Sequence, residues 1–213
     1  MGINMKVTRI EELTKSRSRI YIDGEFAFVL YKGELRSYQI IEGEELDLED
    51  YETIMSQVLP KRAKLRAMNL LKAREYTTKQ LHDKLKDGGY PERIITEALA
   101  YVESFHYTDD LRYAVAYISG HESTRSHRRI EQDLLGRGID QDTLERAWTE
   151  WEDQGGTQDE QAMIRELLKK RGYNPETADK KEVQRQGAFL MRRGFSGENV
   201  RKALFGRGGF DEY

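Results

Sequence analysis

The sequence contains no cysteine in its 213 residues, and it contains no long run of apolar side chains. Without cysteine, the chain can form neither a disulfide nor a thiolate metal site. No segment reaches the length that a membrane-spanning helix needs, and the N-terminal stretch MGINMKVTRIEEL lacks the apolar centre of a signal peptide. We therefore expect a cytoplasmic protein that does not associate with membranes.

The motifs of common enzymes are also missing. There is no GxxxxGKS or GxxxxGKT phosphate loop, and His121 and His127 of the segment HESTRSH do not have the spacing of the HExxH zinc motif. Asp109 and Asp110 are adjacent and would point about 100° apart on a helix, which favours a capping role over paired catalytic carboxylates. We predict no catalytic residue, no metal site and no cofactor, and hence a protein that is not an enzyme.

The sequence instead contains one pattern three times, in copies that begin at residues 81, 130 and 186. The copies are LHDKLKDGGYPERIITEAL, IEQDLLGRGIDQDTLERAW and QGAFLMRRGFSGENVRKAL. Each copy has apolar residues at fixed positions, a glycine before an apolar or aromatic residue, and a final pair of alanine and an apolar residue. Only Gln186 departs from the pattern, at the first apolar position. The spacings of 49 and 56 residues are typical of repeated helical units with loop insertions.

Each copy predicts short helices that are joined at a glycine. A left-handed conformation at Gly89, Gly138 and Gly194 would let the chain reverse, so that the next side chain packs back onto the helices. Thr77 and Gln80 have the spacing of a capping box at a helix start. Three short helices cannot bury their apolar stripes alone, and we therefore expect the units to stack around one continuous apolar core.

The N-terminal residues predict a small module of a different kind. Residues 17–31, RSRIYIDGEFAFVLY, have the composition of a β-hairpin, and Asp23-Gly24 supplies the positive φ angles of a two-residue turn. A lone hairpin is marginally stable in water, so we expect it to pack on Ile40-Ile41 and on neighbouring helices. Pro60 would begin a new helix or kink a long one, and we place the end of the module there.

The predicted fold is therefore mainly α, with three tandem three-helix repeats that form a curved array behind a small N-terminal module containing a β-hairpin. Charged residues make up 34% of the chain, which fits an elongated helical array. The predicted boundaries are 1–59 for the N-terminal module, 60–107 and 108–156 for the first two repeats, and 157–213 for the third repeat and the tail.

Positive charge is concentrated in short clusters within the repeats. The net charge is −3, but residues 1–59 hold 7 Lys/Arg against 12 Asp/Glu, whereas residues 60–213 hold 28 against 26. A partner attracted by charge must therefore meet a local patch. Exposed ion pairs contribute only about 0–1 kcal/mol each, so a binding surface needs several cations together. The candidate partner-binding residues are Arg125, Arg128, Arg129, Lys169, Lys170, Arg171, Arg192 and Arg193.

Three segments in the same order resemble the bacterial RecX regulatory proteins. Residues 107–140, YTDDLRYAVAYISGHESTRSHRRIEQDLLGRGID, resemble the centre of that family, residues 188–204 its closing segment and residues 67–85 its first unit. Residues 19–31 resemble an N-terminal extension that some members carry. The resemblance implies a non-catalytic protein that binds the RecA recombinase filament on DNA, and we expect this protein to be a monomer. It also implies that the protein restrains strand exchange, ATP hydrolysis and the coprotease role in DNA repair and the SOS response.

Two alternatives remain open at this point. A direct DNA-binding module is one of them, because short helices joined by glycine turns resemble helix-turn-helix units. It predicts binding that weakens steeply with salt, and the acidic N-terminal part and the negative net charge oppose it. The other is an interaction scaffold that does not touch DNA, for which alanine at Arg125, Arg128 and Arg129 would leave partner binding almost unchanged.

Overall fold

The computed structural model describes residues 5–205, and these residues are mainly helical with a small antiparallel sheet at the start. The chain divides after Asp109 into two compact units, which are described separately below. The predicted four-part division is finer than this and stays a prediction.

The strands are β1 (Val7–Thr14), β2 (Arg17–Ile22) and β3 (Glu25–Tyr31). The helices of the first unit are α1 (Lys32–Ser37), α2 (Leu48–Thr53), α3 (Leu59–Ala73), α4 (Thr78–Asp87) and α5 (Glu92–Ser104). Those of the second unit are α6 (Asp110–His121), α7 (His127–Gly136), α8 (Gln141–Asp153), α9 (Glu160–Lys170), α10 (Lys180–Arg192) and α11 (Gly197–Phe205).

The predicted hairpin is confirmed and forms part of a three-stranded sheet in the order β1-β2-β3. Asp23 and Gly24 have φ angles of 52° and 88°, as a tight hairpin turn requires. Strand β1 has no signal in the sequence. Its middle contains Glu11 and Glu12, so it lacks the alternation that marks a strand, and it is an edge strand fixed by its pairing with β2.

The sheet and α3–α5 share one apolar core in the first unit. The inward residues of the sheet, Ile20, Phe28 and Leu30, belong to the same buried cluster as apolar residues from all three helices. Ile40 lies in this cluster, as predicted, but Ile41 is 52% exposed and does not support the sheet. The hairpin is therefore stabilised by helix contacts that a lone hairpin would lack.

Pro60 lies in the first turn of α3, which begins at Leu59, in agreement with the prediction that a helix starts here, but the chain does not reverse there. A π-helical turn, Ile54–Val58, connects α2 to α3, and the backbone N–H of Leu59 donates to the carbonyl of Ile54. The wider turn accommodates a residue that has no N–H to donate.

The predicted turns are confirmed in all three repeats. Gly89, Gly138 and Gly194 have φ angles of 80°, 86° and 90°, so each lies in the left-handed region. The residues after the second and third glycines, Ile139 and Phe195, are each only 2% exposed. The predicted capping box is also present, since the Thr77 hydroxyl accepts the Gln80 N–H at 3.1 Å and Gln80 Oε1 accepts the Thr77 N–H at 3.3 Å.

The prediction of one continuous apolar core is wrong for the second unit. Helices α6–α8 surround one buried cluster and helices α9–α11 surround another. Trp148 and Trp151 are buried in the first cluster. Because each large aromatic side chain buries much apolar area, three helices can form a core without packing on another helix group. The two three-helix groups are joined instead by polar contacts, which form the candidate site below.

Gln186 fills its apolar position without breaking the repeat. Its side chain is buried, and its Oε1 accepts a hydrogen bond from Arg171 Nε at 2.6 Å. Its Nε2 donates to Glu182 Oε1 at 2.5 Å. Because both polar ends are satisfied, the buried amide carries little desolvation penalty.

We predict that Gly89→Ala destabilises the first unit by roughly 2 kcal/mol or more, because left-handed backbone is costly for alanine. The added Cβ would also lie 2.2 Å from Val29 Cγ2. The control is Gly33→Ala in α1, where no heavy atom lies within 4 Å of an added Cβ. Urea unfolding followed by circular dichroism should show a large decrease in the free energy of unfolding for Gly89→Ala and no decrease for Gly33→Ala. Equal stabilities would contradict the packing described here.

Candidate functional site

Two of the three predicted basic clusters meet in one cleft of the second unit, which we call the arginine cleft. Arg125 and Arg129, from the α6–α7 loop and the first turn of α7, line it together with Arg192 and Arg193 from the end of α10. The cleft has a volume of about 330 Å³, and Thr124, Ser126 and Phe195 complete its lining. Residues more than 60 positions apart in the sequence thus form one basic surface.

A single serine fixes the two sides of the arginine cleft. Ser126 is buried and caps α7, since its Oγ accepts the backbone N–H of Arg129 at 3.3 Å. The same hydroxyl donates to the carbonyl of Arg193 at 2.9 Å. A Cβ added at Gly194 would lie 2.6 Å from this hydroxyl, so the turn can approach Ser126 this closely only because residue 194 is glycine. This contact sets the distance between the two basic clusters.

Two further side chains hold the α6–α7 loop against the third helix group. Gln158 Nε2 donates to the carbonyls of Glu122 and Arg125 at 2.7 and 2.8 Å. Glu160 accepts the backbone N–H of His127 through Oε1 and the Asn199 amide through Oε2, both at 2.8 Å. The loop that carries Arg125 is therefore positioned by several hydrogen bonds and not by apolar burial.

One carboxylate partly neutralises the arginine cleft. Asp133 lies 2.5 Å from Arg125 Nη1 and 3.2 Å from Arg129 Nε, so two guanidinium groups share one negative charge. Among residues 5–205, no carboxylate lies within 4 Å of Arg192 or Arg193. The four arginines thus keep an excess of positive charge, which suits an anionic partner.

The other four candidate residues do not line the arginine cleft. The Arg171 guanidinium lies 4.1 Å from the centre of the Phe189 ring, and Arg171 lines a separate pocket beside Tyr173 and Glu182. Lys170 lines a different groove, beside Glu122 and Met163. The exposed side chains of Arg128 and Lys169 do not line the arginine cleft. The structure therefore brings together four of the eight predicted residues in the arginine cleft.

The two histidines of the HESTRSH segment have separate structural roles. The His121 ring stacks on Tyr117 at 4.0 Å and its Nδ1 donates to the Tyr117 carbonyl at 2.8 Å. The His127 ring stacks on Trp148 at 3.9 Å. In the part of the chain that the structure describes, no three His, Cys, Asp or Glu side chains are grouped as a metal would need. Within the same residues, no helix is both long and apolar enough to cross a bilayer.

Two residues of the site are absent from the sequence prediction, and both have a signal in the sequence. Ser126 directly precedes a helical pattern, which is the position of an N-cap. Asp133 lies four residues after Arg129 on the same helix, which is the spacing of a helical ion pair. The bond from Ser126 to Arg193 has no such signal, because it depends on how two helix groups pack.

These features define a protein in which a small antiparallel sheet is followed along the chain by tandem three-helix domains. Residues 63–101 match the family model described as RecX, first three-helix domain, and residues 158–204 match RecX, third three-helix domain. The regulatory protein RecX of Caldanaerobacter subterraneus subsp. tengcongensis is 33% identical over 202 residues, covering 94% of this chain and 98% of the relative. That of Clostridioides difficile is 28% identical over 218 residues, covering 100% of this chain and 99% of the relative.

Solved structures agree with these sequence matches. A crystal structure of a regulatory protein RecX superposes with a TM-score of 0.59 at 25% identity, covering 94% of this chain and 98% of that chain. RecX from Lactobacillus salivarius has a TM-score of 0.54 at 19% identity, with 69% and 95% covered, and supports the fold alone. The chain belongs to the RecX family of regulatory proteins, which confirms the resemblance and the fold class.

We predict that Ser126→Ala destabilises the second unit by roughly 1–3 kcal/mol, because it removes both an N-cap and the bond to the Arg193 carbonyl. The control is Ser196→Ala, which removes only the cap hydrogen bond to the Asn199 N–H. Both tryptophans of the chain, Trp148 and Trp151, lie in the second unit, so their fluorescence during urea unfolding reports this effect. Equal losses in the two variants would contradict the role given to Ser126.

Proposed function

We propose that this chain is a non-catalytic cytoplasmic regulator that binds the RecA recombinase filament on DNA. In this proposal it restrains strand exchange, ATP hydrolysis and coprotease activity by occupying the filament. The observation that carries the proposal is the arginine cleft, a built basic surface in a chain of the RecX family. The relatives are named as regulatory proteins, which agrees with a role that changes another protein's activity.

The charge distribution supports a composite partner over DNA alone. The chain carries a net charge of −3, so long-range attraction to a polyanion is weak outside the basic surfaces. The arginine cleft offers a local excess of positive charge that DNA phosphates or acidic side chains of a filament could neutralise. Protein contacts would then supply the affinity that phosphate contacts alone do not, because phosphate contacts are sequence-independent and weaken with salt.

The two alternatives predict different binding behaviour. A direct DNA-binding module would bind naked DNA as well as it binds coated DNA, with a salt slope near one unit per phosphate neutralised. A scaffold that interacts with protein alone would keep its affinity when the arginines are removed. The positive charge that the arginine cleft keeps after Asp133 pairs with Arg125 and Arg129 favours a charge-dependent partner over the scaffold.

We predict that the chain binds RecA-coated single-stranded DNA more tightly than bare single-stranded DNA of the same length. The reason is that the coated strand presents protein surface as well as phosphate. Fluorescence anisotropy with labelled chain at one fixed salt concentration measures both affinities. Equal affinities would contradict the filament proposal and favour the DNA-binding alternative.

We predict that the double variant Arg129→Gln/Arg192→Gln weakens filament binding by roughly tenfold or more. The salt dependence of binding should also become less steep, because two cations that can pair with phosphates or carboxylates of the partner are lost. The control is Arg146→Gln/Arg201→Gln, which removes the same charge from exposed positions of the second unit that do not line the arginine cleft. Inhibition of filament ATP hydrolysis should follow the same order. Equal effects of both variants would show that the arginine cleft is not the contact surface.

A further inference from the structure

The first unit contains a second basic surface, formed where the sheet meets α3 and α4. We call it the tyrosine pocket, a cavity of about 430 Å³. The rings of Tyr31 and Tyr90 line it together with the cationic side chains of Arg17, Arg62, Arg66 and Lys84. None of these residues belongs to the clusters considered for the filament.

Arg62 organises the tyrosine pocket but does not supply its free charge. Its Nη1 lies 2.7 Å from Glu34 Oε2, and its Nη2 donates to the Val29 carbonyl at 2.5 Å. Its guanidinium lies 5.0 Å from the centre of the Tyr31 ring and 5.6 Å from that of Tyr90. The ion pair and the cation–π contacts hold the two rings in place, and Glu34 balances the charge of Arg62.

The other three cations keep their charge available. In the described part of the chain, no carboxylate lies within 4 Å of Arg17, Arg66 or Lys84. Asp87 is the one carboxylate in the lining, so the tyrosine pocket retains a positive excess. The cationic side chains that line the tyrosine pocket repel one another, and a bound anion would reduce that repulsion.

Tyr31 contributes an aromatic ring that the fold covers only in part. It is 43% exposed, whereas its strand neighbours Phe28 and Leu30 are in the core. In the β2–β3 register Tyr31 pairs with Arg17, so the ring and this guanidinium lie on the same face of the sheet. An exposed ring thus lies beside unpaired cations.

Tyr90 occupies the repeat position that closes the core in the other two copies. Ile139 and Phe195 are buried at that position, but Tyr90 is half-buried and lines the tyrosine pocket. Burial raises the pKa of its hydroxyl, although the nearby Arg62 acts in the opposite direction. The hydroxyl therefore stays protonated at neutral pH and can donate a hydrogen bond.

We propose that the tyrosine pocket binds single-stranded nucleic acid, with one base stacked on Tyr31 and the flanking phosphates held by Arg17, Arg66 and Lys84. Aromatic rings set among cations are the combination that single strands require, because each base offers a π-face and each phosphate a charge. A duplex offers no unstacked base, and an acidic peptide would use the cations but not the ring. This site lies in the first unit and acts without the recombinase, so it goes beyond the proposed function.

The test measures binding of a fluorescent 15-residue oligothymidylate to the full chain at low salt without recombinase. Tyr31→Leu should weaken binding by roughly five- to tenfold, since stacking is lost, and Tyr31→Phe should bind as the wild type does. Arg66→Gln/Lys84→Gln should weaken binding and lower the salt slope by about 1.4. The matched control Lys61→Gln removes an exposed cation of α3 outside the tyrosine pocket and should bind nearly as the wild type does.

Two results of the binding measurements would overturn the proposal. One is unchanged binding by Tyr31→Leu when circular dichroism shows a folded chain. The other is equal displacement of the strand by a polyglutamate peptide of the same charge, which would indicate an acidic-peptide site. A second measurement uses the wild-type protein and an oligonucleotide that contains 5-iododeoxyuridine. On irradiation, the modified base should crosslink to the peptide that contains Tyr31. Crosslinks confined to the second unit would be a third contradicting result, and none of the three would bear on filament binding.

Discussion

The structure depends on a glycine that takes the left-handed conformation after the middle helix of each three-helix group. In two of the three groups this glycine also touches a neighbouring part of its own unit. Gly89 packs against Val29 of the sheet, and Gly194 packs against Ser126 at the start of α7. A β-carbon at either position would collide with these neighbours, so the two close approaches need glycine for space as well as for backbone conformation.

Each of these approaches creates a surface that carries cations. At Gly89 the turn presents Tyr90 to the tyrosine pocket, and at Gly194 it places Arg193 across from Arg129. The same backbone device therefore produces two different surfaces, because the residues around it differ between the copies. Conserving the turn while changing its flanking side chains lets one helical pattern serve several contacts.

The joint between the two helix groups of the second unit is polar. Hydrogen bonds from Ser126, Gln158 and Glu160 connect them, and each group has its own apolar core. A polar joint contributes less to stability than shared apolar burial, but its directional bonds fix the side chains that they connect. That precision suits a surface whose cations must be held at a set spacing.

Local signals in the sequence predict much of this fold. The Asp23-Gly24 turn, the Thr77 cap and the left-handed glycines follow from short patterns, because backbone geometry limits what these residues can do. Contacts between distant segments do not follow from such patterns. Arg125 and Arg192 are predicted as separate clusters, and contacts between distant segments, among them the packing of Gly194 on Ser126, bring them into one cleft. The edge strand β1 is missed because pairing, and not its own composition, makes it a strand.

The proposed contact between the arginine cleft and the recombinase filament on DNA can be measured by hydrogen–deuterium exchange of the chain, free and bound to RecA-coated single-stranded DNA. We expect binding to slow exchange in residues 124–129 and 190–195, which form the two sides of the arginine cleft. Unchanged exchange in both segments while the filament is bound would contradict the proposed contact.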